Sequence, residues 1–72
     1  MIKKFNSVLI IGMGLIGSSI SRALVEYQVA NNVYGLDEDD KVIKKCQELN
    51  LLIQGETELS NFDLQFDLVI IC

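Results

Sequence analysis

The sequence predicts an α/β fold on a parallel sheet, and three features of the chain predict it. Apolar runs such as Val8-Leu9-Ile10-Ile11 and Leu68-Val69-Ile70-Ile71 are short and continuous, as strands covered on both faces are. Between the strand runs the apolar spacing changes to the helical period. Strand, helix and strand then follow one another within about thirty residues, the length of a βαβ unit.

The first strand is expected over Ser7 to Ile11, where glycine ends the run. From Leu15 an amphipathic helix is predicted, with Ile16, Ile20, Ala23, Leu24 and Tyr27 on one face. Ser18, Ser19, Arg22 and Glu26 fall largely off that face. Asn31-Asn32 is expected to break the helix before a second strand, Val33 to Leu36, that ends at Asp37. The acidic stretch Asp37 to Asp40 opens a second helix with Val42, Ile43, Cys46 and Leu49 on its apolar side, and acidic residues there suit the helix dipole. Asn50 is placed to close that helix in a left-handed conformation, which asparagine tolerates well.

Leu51-Leu52-Ile53 reads as a short third strand. Gln54 to Phe66 is too weakly periodic for more than a loop with room for one helical turn. Asp67 to Cys72 is again a buried-strand run. No internal repeat or linker interrupts the 72 residues, which are expected to form one small unit of marginal stability.

Composition narrows the functional classes. Half the residues are apolar, proline is absent and mean hydropathy is +0.34, so the chain is globular rather than disordered. The net charge is −4 and the six basic residues form no stripe, which argues against nucleic acid or an anionic membrane surface as partner. Two cysteines without metal spacing and a complete lack of histidine disfavour a zinc site or a disulfide framework. Lys3 and Lys4 before the apolar run Val8 to Ile16 imitate a secretory leader. Gly12 and Gly14 interrupt that run, Gly17 follows it and no A-x-A cleavage site comes after, so the expected location is cytoplasmic. No stretch reaches the ~18 apolar residues of a membrane helix.

One motif carries chemistry. Gly12-Met13-Gly14-Leu15-Ile16-Gly17 matches G-x-G-x-x-G, follows a predicted strand and opens a predicted helix. Asp37 stands twenty positions after the last glycine, at the end of the next strand. Those conditions together mark a dinucleotide-binding turn. The chain is therefore read as a partial Rossmann fold, the first mononucleotide-binding half of a doubly wound parallel sheet. In that reading Gly12 permits a sharp turn, Gly14 leaves space for the pyrophosphate and Gly17 lets the helix approach the sheet. Free N–H groups near Leu15 and Ile16 would point at the phosphates, with the positive end of the helix dipole behind them.

Asp37 is expected to accept hydrogen bonds from the adenosine ribose, which favours NAD over NADP. The backbone of Cys72, at a strand's carboxyl end, is expected to touch the cofactor. Glu38, Asp39 and Asp40 read as solvated helix-start residues, and Cys46 as plain core. Ser18 and Ser19 are placed either to reach a phosphate or to satisfy their own helix's backbone. No catalytic or metal-binding residue is expected within these 72 positions.

The segment Val8 to Ser19 resembles the amino-terminal part of the prephenate and arogenate dehydrogenases of tyrosine biosynthesis. Val33-Tyr34-Gly35-Leu36-Asp37 is similar to that family's second strand, Leu49-Asn50-Leu51-Leu52 to its Leu-Gly-Leu-Ile segment, and Asp67 to Cys72 to its fourth strand. Asn50 departs from the family's usual glycine, and Ser18 from a frequent fourth glycine. Neither lies where it would block a phosphate. The resemblance implies NAD(P)-dependent oxidative decarboxylation, in which hydride leaves the ring carbon bearing the hydroxyl as carbon dioxide departs. It also implies that residues 1–72 are the amino-terminal portion of a nucleotide domain. The family's catalytic histidine, substrate-binding arginine and helical dimerisation domain would then lie further along a longer chain, so small-molecule substrate and homodimer partner belong to the full-length enzyme. Two other classes share such an opening. They are further NAD(P)-dependent dehydrogenases or reductases, such as the hydroxyisobutyrate and pyrroline-carboxylate groups, and non-catalytic NAD-sensing or ion-transport regulatory domains.

Overall fold

Apolar β-branched residues dominate the first strand, β1 (Phe5–Ile11), and bury it on both faces. The structure is a computed structural model and describes residues 5–72. Lys3 and Lys4, the start of the leader-like pattern, lie outside the described residues. The remaining elements are α1 (Leu15–Glu26), β2 (Ala30–Leu36), α2 (Asp40–Glu48), β3 (Gln54–Glu56), a 3-10 turn (Leu59–Asn61) and β4 (Leu68–Ile71).

Among the described residues four parallel strands stand in the order β3-β2-β1-β4, with β1 paired to β2 and β4. This is the alternating architecture of a half Rossmann fold, as the sequence predicts. Val8 and Ile10 of β1 join Leu24, Val33, Ile43 and Leu52 in the main core cluster. Leu9 points to the opposite face by strand alternation, in register with Tyr34. There Tyr34, Phe62 and Phe66 form an edge-to-face trio with ring centroids 5.4–6.0 Å apart. The aromatic segment after the 3-10 turn thus covers the second face.

Three boundaries differ from the sequence reading. Asn31-Asn32 does not break α1 but lies within β2, where Asn32 pairs with Ser7. The helix stops at Gln28 instead, which takes φ 54°, while Val29 N–H donates back to the Leu24 carbonyl. Nothing in residue type marks Gln28 for that role, since glutamine is a good helix former. Asn50, by contrast, has φ 57° as expected. The third strand is Gln54–Glu56 rather than Leu51-Leu52-Ile53. Leu51 and Leu52 are buried because they plug the core beneath α2, not because they sit in the sheet.

The buried face of α1 also differs. Its fully buried residues are Gly17, Ser21 and Leu24, spaced i, i+4 and i+7, whereas Ile16 and Tyr27 are exposed. Small residues at 17 and 21 let the helix lie close to β1. Ser21 is completely buried, and its hydroxyl donates to the Leu51 carbonyl, tying α1 to the segment after α2. On α2, Ile43 and Cys46 are buried as predicted, but Leu49 caps the helix and is half exposed.

Candidate dinucleotide-binding site

The glycine turn joins β1 to α1 at the carboxyl edge of the sheet. Gly12 has φ 94°, a conformation that side-chain-bearing residues rarely adopt, and its N–H donates to the Leu36 carbonyl at 2.7 Å. A Cβ there would stand 2.8 Å from the Cys72 carbonyl oxygen. At Gly17 a Cβ would run into the Gly12 carbonyl, so the helix approaches its own turn as closely as backbone allows. Gly14 differs from both, because a Cβ there would meet nothing within 4 Å. The space beside it is open.

Gly14 is the N-cap of α1 and offers no side chain to satisfy the helix start. Ser18 N–H to the Gly14 carbonyl, at 2.9 Å, is the first main-chain bond of the helix. The N–H groups of Leu15, Ile16 and Gly17 therefore have no helical acceptor, and no acidic side chain stands in that first turn. Ser18 and Ser19 both donate their hydroxyls to the Leu15 carbonyl, at 3.0 and 2.9 Å. Of their two predicted roles, the structure displays the backbone one. Gly12, Gly14, Leu15, Ile16, Gly17 and Cys72 surround a cleft of about 370 Å³. The sequence-predicted turn residues and Cys72 are thus brought together, with free donors and positive dipole at one wall.

Asp37 lies on the other side of Gly12. One carboxylate oxygen accepts the Met13 N–H at 2.8 Å and the other accepts the Asp39 N–H at 2.9 Å. A second cleft of about 350 Å³ is lined by Ile11, Gly12, Leu36, Asp37, Glu38 and Thr57. Each carboxylate oxygen retains further acceptor capacity toward it. Glu38, read from sequence as merely solvated, edges this cleft. Asp39 caps α2 by accepting the Lys41 N–H at 3.0 Å, and Asp40 pairs with Lys44 at 3.0 Å, both helix-start roles as expected. Thr57 was missed from sequence. Its signal is position just past the carboxyl end of β3, which became readable only once β3 was placed at Gln54–Glu56.

Cys46 is buried under the turn, with its thiol 3.8 Å from the Met13 carbonyl. Burial first, and then the Asp37 charge, push that thiol's pKa up, so it stays protonated and inert. Cys72 is exposed, and its backbone rather than its sulfur faces Gly12.

The residues present fit a dinucleotide: an open pocket beside Gly14, three unsatisfied N–H groups, and a carboxylate one turn away. Comparison with known proteins agrees. The chain is similar to the crystal structure of prephenate dehydrogenase from A. aeolicus in complex with hydroxyphenyl propionate and NAD+, with a TM-score of 0.86 and 28% sequence identity. The match covers 92% of this chain and 23% of that one, so the chain spans less than a quarter of that protein's length. No protein-family model matches the chain, and neither does any curated protein. The resemblance read from the glycine turn and the half Rossmann fold are both borne out by this likeness.

Proposed function

We propose that the chain is the NAD-binding portion of a cytoplasmic prephenate or arogenate dehydrogenase, with catalytic and dimerising parts supplied by a longer protein. The observation that carries this reading is the open, donor-lined space at Gly14, in a fold that superposes on a prephenate dehydrogenase holding NAD+. The N–H groups of Leu15, Ile16 and Gly17 bind the pyrophosphate, backed by the α1 dipole. Asp37 accepts from the adenosine ribose hydroxyls within the second cleft, beside Glu38 and Thr57. The Cys72 backbone and the exposed Ile16 side chain border the same cleft and would contact the bound dinucleotide.

Bound NAD supplies the hydride acceptor for oxidation of the cyclohexadienyl substrate. This chain's residues hold and orient the dinucleotide, and proton transfer falls to the rest of the longer protein. Calorimetric titration of the intact protein with NAD, and assay with NAD plus prephenate or arogenate, test the reading. Saturable NAD binding with turnover of either substrate is expected. NAD binding without turnover of either would leave a dinucleotide-binding protein of another kind, and no NAD binding would remove the reading altogether.

A further inference from the structure

A third cleft, of about 420 Å³, lies between α1 and α2 on the other side of the glycine turn. Its floor is apolar, formed by Val42, Leu49 and Leu51 with the Cys46 thiol beneath. Its rim carries Arg22 from α1 and Lys41 and Lys45 from α2. These are three of the four described basic residues in a chain of net charge −4. The fourth, Lys44, pairs with Asp40, whereas Arg22, Lys41 and Lys45 make no ion pair among the described residues. Positive charge is therefore concentrated where apolar surface is open, and its volume falls within the range of small-ligand pockets.

We propose that this groove binds a small organic anion, an apolar body with one carboxylate, as a site separate from the dinucleotide clefts. The aryl or alkyl body lies on Val42, Leu49 and Leu51, and the carboxylate is held by Arg22 and Lys45, with Lys41 adding favourable potential at the mouth. Arg22 offers a planar fork suited to a carboxylate, and the two lysines act as point charges. Gly14, Leu15 and Ser18 complete the groove's upper wall, so an occupant touches the outer side of the same turn whose inner side faces the phosphates. The proposal stands on the groove itself and does not depend on the dinucleotide reading.

The test uses 1-naphthoate as probe and neutral 1-naphthamide as its control, titrated calorimetrically into the intact protein with and without saturating NAD. Naphthoate is expected to bind in both conditions and naphthamide several-fold more weakly. Arg22→Gln and Lys45→Gln should each weaken naphthoate roughly twofold to fivefold, as exposed charge contacts do. Lys44→Gln, on the same helix but outside the groove, should leave the affinity unchanged. All three positions are exposed, so the variants should fold as the wild type does. Equal affinity for naphthamide, an unchanged affinity in the Arg22→Gln,Lys45→Gln double variant, or equal loss in Lys44→Gln would each overturn the proposal. Displacement by NAD would assign the probe to the dinucleotide site. Displacement by NADP alone would assign the cations to a 2′-phosphate. No binding of naphthoate would leave the groove to a protein segment. Each of these three results also refutes a separate anion site.

Discussion

The Asp37 carboxylate accepts the Met13 N–H at 2.8 Å, so the residue proposed to read the ribose is also bonded to the middle of the glycine turn. Met13 is itself almost fully buried, which holds that N–H in place. The proposed ribose recognition and the shape of the glycine turn would then be coupled through one side chain. Asp37→Ala is expected to weaken NAD binding about tenfold or more, since it removes a ribose acceptor and loosens the turn together.

The same residue should set cofactor preference. A 2′-phosphate placed ~4 Å from the Asp37 charge is repelled by ~4 kcal/mol at an effective dielectric of ~20, before screening and relaxation. Even a third of that is about tenfold in affinity. The wild type should therefore prefer NAD, and Asp37→Ala should narrow the gap. Comparing kcat/KM for the two cofactors in both proteins decides it. Equal use of NADP by the wild type would take this role from Asp37.

Gly14 and Gly17 should fail differently when replaced by alanine. Gly17→Ala drives a methyl group into the Gly12 carbonyl, a backbone atom that cannot rotate away, and should cost about 1–3 kcal/mol or more of stability. Gly14→Ala meets nothing in the protein and should leave Tm nearly unchanged while weakening NAD binding, because the methyl group occupies the open space. Thermal melts with NAD titrations of both variants separate the two effects. A stable Gly17→Ala would refute the close approach.

Ser21 gives a stability prediction. Its hydroxyl is fully buried and satisfies the Leu51 carbonyl. Ser21→Ala leaves that acceptor without a donor and should destabilise by about 1–3 kcal/mol in urea unfolding, with little effect on NAD affinity where folded. A neutral result would mean that the Leu51 carbonyl finds another donor.

Cys46 links stability to alkaline pH. The fold raises the thiol's pKa above its ordinary value of 9.0, so its contribution is fully present below that pH and is lost as pH rises from there through the folded-state value. The urea midpoint of the wild type should accordingly decline above pH 9.0 more steeply than that of Cys46→Ala. At neutral pH a thiol reagent should modify exposed Cys72 well before Cys46. Equal labelling rates would contradict the burial of Cys46.

The fold class and the turn were legible because they rest on signals tied directly to backbone physics. Continuous apolar runs mark β1 and β4, and Gly12 is a residue that its positive φ demands. What escaped was set by tertiary context. Gln28 ends α1 although its side chain favours continuing it, because Val29 N–H finds the Leu24 carbonyl and the chain must return to β2. Leu51 and Leu52 imitate a strand because periodicity cannot tell a buried plug from a buried strand over three residues. Misplacing β3 by that much hid Thr57, which lies one residue past the strand's true end. Ser21 was overlooked because a polar residue on a helix reads as outward-facing until the carbonyl that satisfies it is known.

The wall of the phosphate cleft that faces Gly12 is built by Cys72, whose N–H donates to the Ile11 carbonyl and whose own carbonyl fills the space beside Gly12. As the chain leaves the ribosome, β1, α1 and β2 can assemble as a local unit long before residue 72 is made. At about 5–20 residues per second, Cys72 follows Gly17 by roughly several seconds. Over that interval the turn has its glycines but lacks its far wall, and its contact with β4 is among the most distant in sequence. In the proposed reading the turn cannot hold a dinucleotide until β4 has joined it, and arrest of translation before β4 should yield a nascent chain with a formed βαβ unit that does not retain NAD.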